Sequence, residues 1–324
     1  MPLHTDSQRY IRYLAVKRPI DDRSLSQPVW RKLRRRLRQA ERRRPLAVIE
    51  MGGGIGTMFD RVLDWALAPH LQYTLIEENR AYLAEFESRL KRLPYISTGP
   101  ENLFRGQAPS GVRFVLKISC ADIYAVIDDP NMLNRWDVVM AHAVMDLVNI
   151  PEALGGFQRL LAPGGLLYLT LNYDGLSCFL PQWEPEFEEM LMSRYHLSMD
   201  NRIIEGRPSG SSQSGRRIIL HLLPAKLPLI AVGNSDWIVF PRQGGYTRGE
   251  VFFLESIVHT ITRQLQQDSA VDQHKLAQWA RHRITQIAAG ELIFMARNLD
   301  ILCGSRPGRQ TLDQGAVLGK DAGE

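Results

Sequence analysis

Residues 45–56 read Pro45-Leu-Ala-Val-Ile-Glu50-Met-Gly52-Gly53-Gly54-Ile-Gly56, and this stretch decides the fold. Leu46 to Met51 is a short apolar run with Val48 and Ile49 at its centre, ending in a cluster of four glycines. A strand that stops at glycines can turn tightly and bring its backbone within contact distance of a ligand, while a following helix offers free N–H groups. Thr57 to Leu67 has the apolar periodicity of that helix. A nucleotide-like ligand is the expected occupant. The dinucleotide fingerprint needs a third glycine at 57 or 59, where this chain has Thr57 and Phe59. The phosphate-loop pattern fails as well, because no Gly-Lys-Ser/Thr follows.

Outward from the turn, strands and helices alternate. The stretches 71–77 (LQYTLIE), 113–119 (RFVLKIS), 136–141 (WDVVMA) and 164–173 (GGLLYLTLNY) read as buried strands, with helices over 81–93 and from Pro151. Such alternation predicts an α/β fold: a Rossmann-like, doubly wound, mostly parallel sheet with helices on both faces. Beyond Asn172 a helix is expected in 181–195 and a Ser/Gly loop running into a helix in 209–223. Two short strands around Gly233-Asn234-Ser235 follow, and then two long helical patterns from Gly249 to about Cys303. The expected organisation is a helical N-terminal extension (1–45), a catalytic domain (46–240, with an insertion at about 175–226), a helical C-terminal cap (241–304) and a disordered tail (305–324).

With 44% apolar and 23% charged residues in 324, the chain has the profile of an ordinary globular protein. No apolar run is long enough to span a membrane, and the start shows no secretion signal, so the cytoplasm is the default expectation. Three scattered cysteines, outside any Cys-x-x-Cys pattern, point to neither a disulfide framework nor a metal site. The net charge of +5 is concentrated: residues 31–44 carry nine Arg or Lys against Glu41, a local +8 that leaves −3 for the rest. Trp30, Leu33, Leu37 and Ala40 recur there at three- and four-residue steps, which predicts one amphipathic helix laid on the body with its arginines in water.

The turn resembles the first motif of class I S-adenosylmethionine-dependent methyltransferases, acidic-x-Gly-x-Gly-x-Gly, on Glu50, Gly52, Gly54 and Gly56, with Gly53 inside it. The resemblance covers about residues 46–173. It implies S-adenosylmethionine as cofactor, with the glycines beside its methionine part and Glu50 orienting its charged groups or the loop. It also implies that Glu77, ending the second strand, accepts both ribose hydroxyls; a one-residue slip would hand that role to Glu78. Asp122 takes the adenine position, with Ile123 packing on the ring, although an N-cap aspartate is an equal reading. The Leu-x-Pro-Gly-Gly turn at 161–165 is also common in these enzymes. Aminopropyltransferases are a remote option, because they carry an acidic residue where this chain has Ile55.

Methyl transfer from a sulfonium is an in-line displacement that a base assists for some acceptors. By position the base candidates are His142 and Asp146 at the fourth-strand exit, and Asn172, Tyr173 and Asp174 at the fifth. His142 comes first because its ordinary pKa lies near physiological pH, with a role beside the cofactor as the alternative. The fourth strand lacks the Asn/Asp-Pro-Pro-Tyr/Phe sequence of enzymes that methylate base amines, so a small-molecule acceptor leads. An RNA or nucleotide acceptor held by the basic helix 31–44 stands second, ahead of a non-catalytic cofactor binder. In 235–250, Trp237, Phe240, Arg242 and Tyr246 form either a lid or a sheet edge with an ordinary turn.

Overall fold

The computed structural model of the chain describes residues 7–40, 44–100 and 102–305. Its helices are α1 (Ser7–Ser24), α2 (Gln27–Gln39), α3 (Thr57–Asp64), α4 (Arg80–Lys91), α5 (Ile123–Ile127), α6 (Ile150–Leu160), α7 (Pro185–Asp200), α8 (Ser214–Leu222), α9 (Arg248–Leu265) and α10 (Gln273–Ala289). The strands are β1 (Leu46–Met51), β2 (His70–Glu77), β3 (Ile96–Thr98), β4 (Leu103–Gln107), β5 (Arg113–Cys120), β6 (Trp136–His142), β7 (Leu161–Leu180), β8 (Ile203–Ile204), β9 (Arg207–Pro208), β10 (Leu229–Asn234), β11 (Trp237–Val239) and β12 (Ile293–Gly304).

The main sheet runs in the order β10-β12-β7-β6-β1-β2-β5-β4-β3, with β11 also on β12. The five central strands, β7-β6-β1-β2-β5, pair in parallel, and both margins are antiparallel. This is the doubly wound arrangement that the alternation predicted. β1 is wholly buried because it lies mid-sheet with apolar layers on both sides. On one face Trp30, Leu33, Phe59 and Phe86 pack over Val48 and Tyr73; on the other, Leu154, Phe157 and Ile218 pack over Ile49 and Val139. The crossovers step to opposite sides of β1, toward β2 and β5 on one side and β6 and β7 on the other, and ligands of such sheets bind beyond the carboxyl ends of the strands at that switch point.

Three segments depart from the sequence reading. The helical pattern expected to run to Cys303 stops at Gly290, which caps α10 in the left-handed conformation. Residues 293–304 then form β12, seated between β7 and β10, so the final part of the expected helical cap belongs to the sheet. The N-terminal extension holds two helices rather than one. Its polar first helix, α1, shows no clean apolar stripe because Lys17 and Asp21 are among its buried residues. The hairpin β3–β4, an antiparallel margin, was not anticipated. No helix among the described residues is long and apolar enough to cross a membrane. Of the expected tail 305–324, only Ser305 lies within the described residues; of the basic segment, Glu41, Arg42 and Arg43 lie outside them.

α2 places Val29, Trp30, Leu33 and Leu37 against the body and turns Arg31, Arg35, Arg36 and Arg38 to solvent, while Ala40 is exposed at its C-cap. Because Leu33 is fully buried, Leu33→Ala is expected to cost about 2–5 kcal/mol of stability, the range for truncating a buried leucine. Urea unfolding against an exposed control, Arg35→Ala, checks this.

Candidate functional site

A cavity of about 970 Å³ opens at the C-terminal ends of β1, β2, β6 and β7, close to the upper end of the sizes typical of small-molecule sites. Its floor is the glycine turn. Gly52, Gly54 and Gly56 have φ of 65°, 54° and 77°, a region that L-residues with side chains rarely enter. The turn is also crowded from behind: a Cβ on Gly52 would lie 2.7 Å from Val144, and one on Gly56 would overlap the Phe86 ring. Gly54 alone of the four lacks a clash, its Cβ position meeting only Leu14 of α1, at 3.4 Å.

Three N–H groups of the turn are already spent inside the protein. Gly53 donates to the Ile76 carbonyl at 2.9 Å, Gly56 to the Gly53 carbonyl at 2.8 Å, and Gly54 to Glu77 Oε2 at 2.8 Å. Glu77 Oε1 accepts from the Asn79 N–H at 2.9 Å. Each carboxylate oxygen keeps a further lone pair, so Glu77 is aimed yet still able to accept. Burial raises its pKa, against the two backbone donors. Glu50 is deeper and accepts from the Tyr73 hydroxyl at 2.7 Å; burial pushes its carboxyl up to about 8. At the end of β2 Glu77 is buried and Glu78 is exposed at the cavity rim.

Asp122 lies on the cavity wall as the N-cap of α5, with Oδ1 accepting from the Tyr124 and Ala125 N–H groups at 2.7 and 3.1 Å. Ile123 and Tyr124 line the same wall. Tyr173 also lines the cavity, its hydroxyl bonded to Ser177 Oγ and His196 Nε2. Asn172 and Asp174 are held elsewhere: Asn172 bonds the Leu299 carbonyl, and Asp174 is paired with Arg216 and Arg297. Of the 235–250 loop, only Trp237 reaches the cavity. Tyr246 donates to the Leu292 carbonyl, and Phe240 is exposed beside Arg242. Asp146 lines the cavity with a buried Oδ1 that has no hydrogen-bond partner.

His142 stands in a buried ionic cluster that composition did not reveal. Its Nδ1 meets Thr170 Oγ1 at 2.7 Å, and its Nε2 lies 2.9 Å from Arg61 Nη1 and 3.3 Å from Asp21 Oδ2. Arg61 can only donate, whereas Asp21 would need a proton on the same nitrogen. Burial, with Arg61 next, lowers the His142 pKa to about 3, which agrees with the shorter contact. The neutral ring therefore accepts from Arg61 at Nε2 and donates from Nδ1 to Thr170, a tautomer assigned from these contacts. Neither ring nitrogen is left to take a proton from an acceptor. Asp21 also holds Lys17 Nζ at 2.6 Å and the Trp237 indole N–H at 3.0 Å, and Arg61 Nε pairs with Asp22 at 2.5 Å. Burial opposes ionisation of Asp21, but the cations beside it, Lys17 foremost and then Arg61, outweigh it and hold the carboxyl well below its usual range.

The cluster fastens α1 over the cavity, and Tyr10, Tyr13, Leu14 and Lys17 become its roof. Sequence reasoning missed these residues, together with Tyr195 of α7 and Ser256, Ile257 and Thr260 of α9. The available signal was the spacing Lys17-x-x-x-Asp21, an i,i+4 pair on a helix.

No protein-family model matches the chain, and no curated protein matches it. Among solved structures it is similar to a protein of Bacillus halodurans C-125 described as a candidate methyltransferase, at 10% identity over 85% of this chain and 98% of that one, TM-score 0.46. It is also similar to phosphoethanolamine N-methyltransferase 2 of Haemonchus contortus with bound S-adenosyl-L-methionine, at 13% identity over 86% and 53%, TM-score 0.40. A third is geranyl diphosphate C-methyltransferase of Streptomyces coelicolor A3(2), at 10% identity over 80% and 73%, TM-score 0.39.

A histidine held neutral by burial makes the fold sensitive to acid. The unfolded chain takes up a proton at His142 below about 6.5, while the folded chain does so only near 3, so this contribution to stability is whole above 6.5 and is lost as pH falls toward 3. His142→Gln, which keeps an acceptor for Arg61, is expected to make the fall of unfolding free energy between pH 6.5 and 4 shallower by up to about 1.4 kcal/mol per pH unit, one proton's worth. Denaturant titrations across that range measure it.

Proposed function

We propose that the chain is an S-adenosylmethionine-dependent methyltransferase acting on a small-molecule acceptor. One observation carries this reading: the glycine turn offers its ligand carboxylates where a phosphate site offers N–H groups. With Gly53, Gly54 and Gly56 donating inward and Glu50, Glu77 and Glu78 on the cavity wall, a pyrophosphate would meet repulsion and few donors. A nucleoside bearing an ammonium and a sulfonium, and no phosphate, meets the opposite.

The residues present fit that cofactor. Glu77 would accept the ribose hydroxyls, the Gly52–Gly56 backbone would pass the methionine part with Glu50 behind it, and Asp122, Ile123 and Tyr124 would border the adenine. When bound, the cofactor supplies a methyl group already activated for displacement. The protein's share is alignment and exclusion of water: α1 closes the roof, and the two reactants share one enclosed cavity, an arrangement that can lower a barrier by roughly 7–11 kcal/mol. His142 serves this reading as a structural link, joining β6 to Arg61 and α1.

A nucleic-acid acceptor gains no support from the basic helix. None of the described residues of 27–44 lines the cavity, and α2 packs against β10 and β12, so a polymer held on α2 would not be delivered to the glycine turn.

Calorimetric titration is expected to show binding of S-adenosylmethionine and none of NAD. Gly54→Arg, which projects a side chain toward Leu14 of the roof from a backbone position with φ of 54°, is expected to weaken S-adenosylmethionine about 100-fold or more and, because of that φ, to lower the melting temperature while the chain stays folded by circular dichroism. Unchanged affinity would place the cofactor elsewhere. The pH dependence has a definite sign: Glu50 holds a proton below about 8, and a cationic ligand favours its ionised form, so binding expels that proton. Affinity should rise with pH up to about 8 and level off above it, and Glu50→Gln should remove the part of the slope due to this group.

A further inference from the structure

We infer that the acceptor is an amine carried on an aromatic or apolar body, anchored through its ammonium by Asp146; the inference rests on the methyl-transfer reading above. Asp146 Oδ1 is the only buried carboxylate oxygen among the described residues without a hydrogen-bond partner, and the residue lines the cavity. Every other acid deep in that wall is engaged: Asp21 by Lys17, Glu50 by Tyr73, Glu77 by Gly54 and Asn79. Arg202 donates to the main-chain oxygens of Asp146 and Ser209 rather than to the carboxylate, so its charge, with that of Lys17, offsets the burial of Asp146 only in part. A desolvated, unpaired carboxylate is costly unless a ligand supplies the missing cation.

The surroundings specify the rest of that ligand. Tyr10 and Tyr13 of α1 and Tyr195 of α7 line the same cavity, near enough that the Asp146 charge opposes the ionisation of each. Aromatic faces attract a cation and pack against an apolar body. An anionic acceptor would meet an Asp146 charge that Arg202 and Lys17 offset only in part, and a neutral alcohol would supply a donor but no cation.

Asp146 also completes the proton balance. The amine enters as an ammonium and passes one proton to the Asp146 carboxylate, whose pKa burial raises. Its freed nitrogen lone pair forms the N–C bond to the methyl group as the C–S bond breaks. The electron pair of that bond stays on sulfur, S-adenosylhomocysteine leaves with the methylated ammonium, and Asp146 returns its proton to solvent.

The test is calorimetric, on the full chain saturated with S-adenosylhomocysteine, using phenethylamine, 2-phenylethanol and phenylacetate as cationic, neutral and anionic probes of one shape. Phenethylamine is expected to bind about tenfold or more tighter than 2-phenylethanol, with phenylacetate weakest, the range for a charge-assisted hydrogen bond. Asp146→Asn is expected to erase the preference for the amine while keeping S-adenosylmethionine affinity within about threefold, which also shows that the variant is folded. Equal binding of amine and alcohol, no binding of the amine, or a variant that loses S-adenosylmethionine instead would each overturn the assignment. A wild-type chain that binds neither S-adenosylmethionine nor S-adenosylhomocysteine would bring down the methyl-transfer reading itself; one that binds the cofactor and ignores phenethylamine overturns the amine alone.

Discussion

The hydrogen bond from the Gly54 N–H to Glu77 joins the turn after β1 to the end of β2, and the character of the site follows from it. β1 and β2 run in parallel register up to Met51 opposite Ile76, so the chain leaves both strands at the same level and the two ends can clasp. With Gly53 bonded to Ile76 as well, the turn is fixed on its sheet side. The glycines answer to crowding there: Val144 fills the space beside Gly52 and Phe86 that beside Gly56. One face of the turn is thus core and the other is ligand wall. The same bond spends the donor a phosphate would use and orients the carboxylate a ribose would use, so local geometry and ligand charge are decided together.

The second constraint is electrostatic. Arg61 lies in α3, the helix that the glycine turn starts, and its partners Asp21 and Asp22 belong to α1. Floor and roof of the cavity are therefore joined by one buried guanidinium, with His142 linking it to the end of β6 and Trp237 linking Asp21 to β11. Desolvating these groups is costly, and each survives because its neighbours compensate it. The arrangement has little tolerance: loss of one member strands the others without water or partner. It also explains why His142, placed at the right level for catalysis, is turned to a structural use.

The fold was legible where periodicity and glycine spacing act locally. Leu46–Met51, Leu71–Glu77 and the helices after them follow from apolar runs and stop signals, and the position of Glu77 at a strand end followed from counting. What escaped depends on partners remote in sequence. α1 looks like a polar segment until Arg61 and His142 are brought beside Lys17 and Asp21. β12 carries enough apolar residues to pass for a third helical pattern after α10, and only the left-handed Gly290 followed by a free flank on β7 makes it a strand. Asp122 shows the opposite limit: as an N-cap and as a cavity residue it satisfies both readings at once, since capping uses only Oδ1.

The C-terminal segments give closure its physical basis. An open doubly wound sheet leaves its ligand crevice exposed to water, which would weaken every charge interaction in it. Here β12 extends the sheet past β7, and α9, continuing from β11, is packed against α1, with Tyr13 stacked on Phe253 at 5.8 Å. The two helices meet above the glycine turn, so the roof is built from opposite ends of the chain and neither helix can close the cavity alone. A space of about 970 Å³ suits a nucleoside-sized cofactor with one small acceptor beside it. The roof that keeps water from Glu50 and Asp21 is thus the same feature that limits the acceptor in size and makes a partly compensated carboxylate in its wall, Asp146, matter.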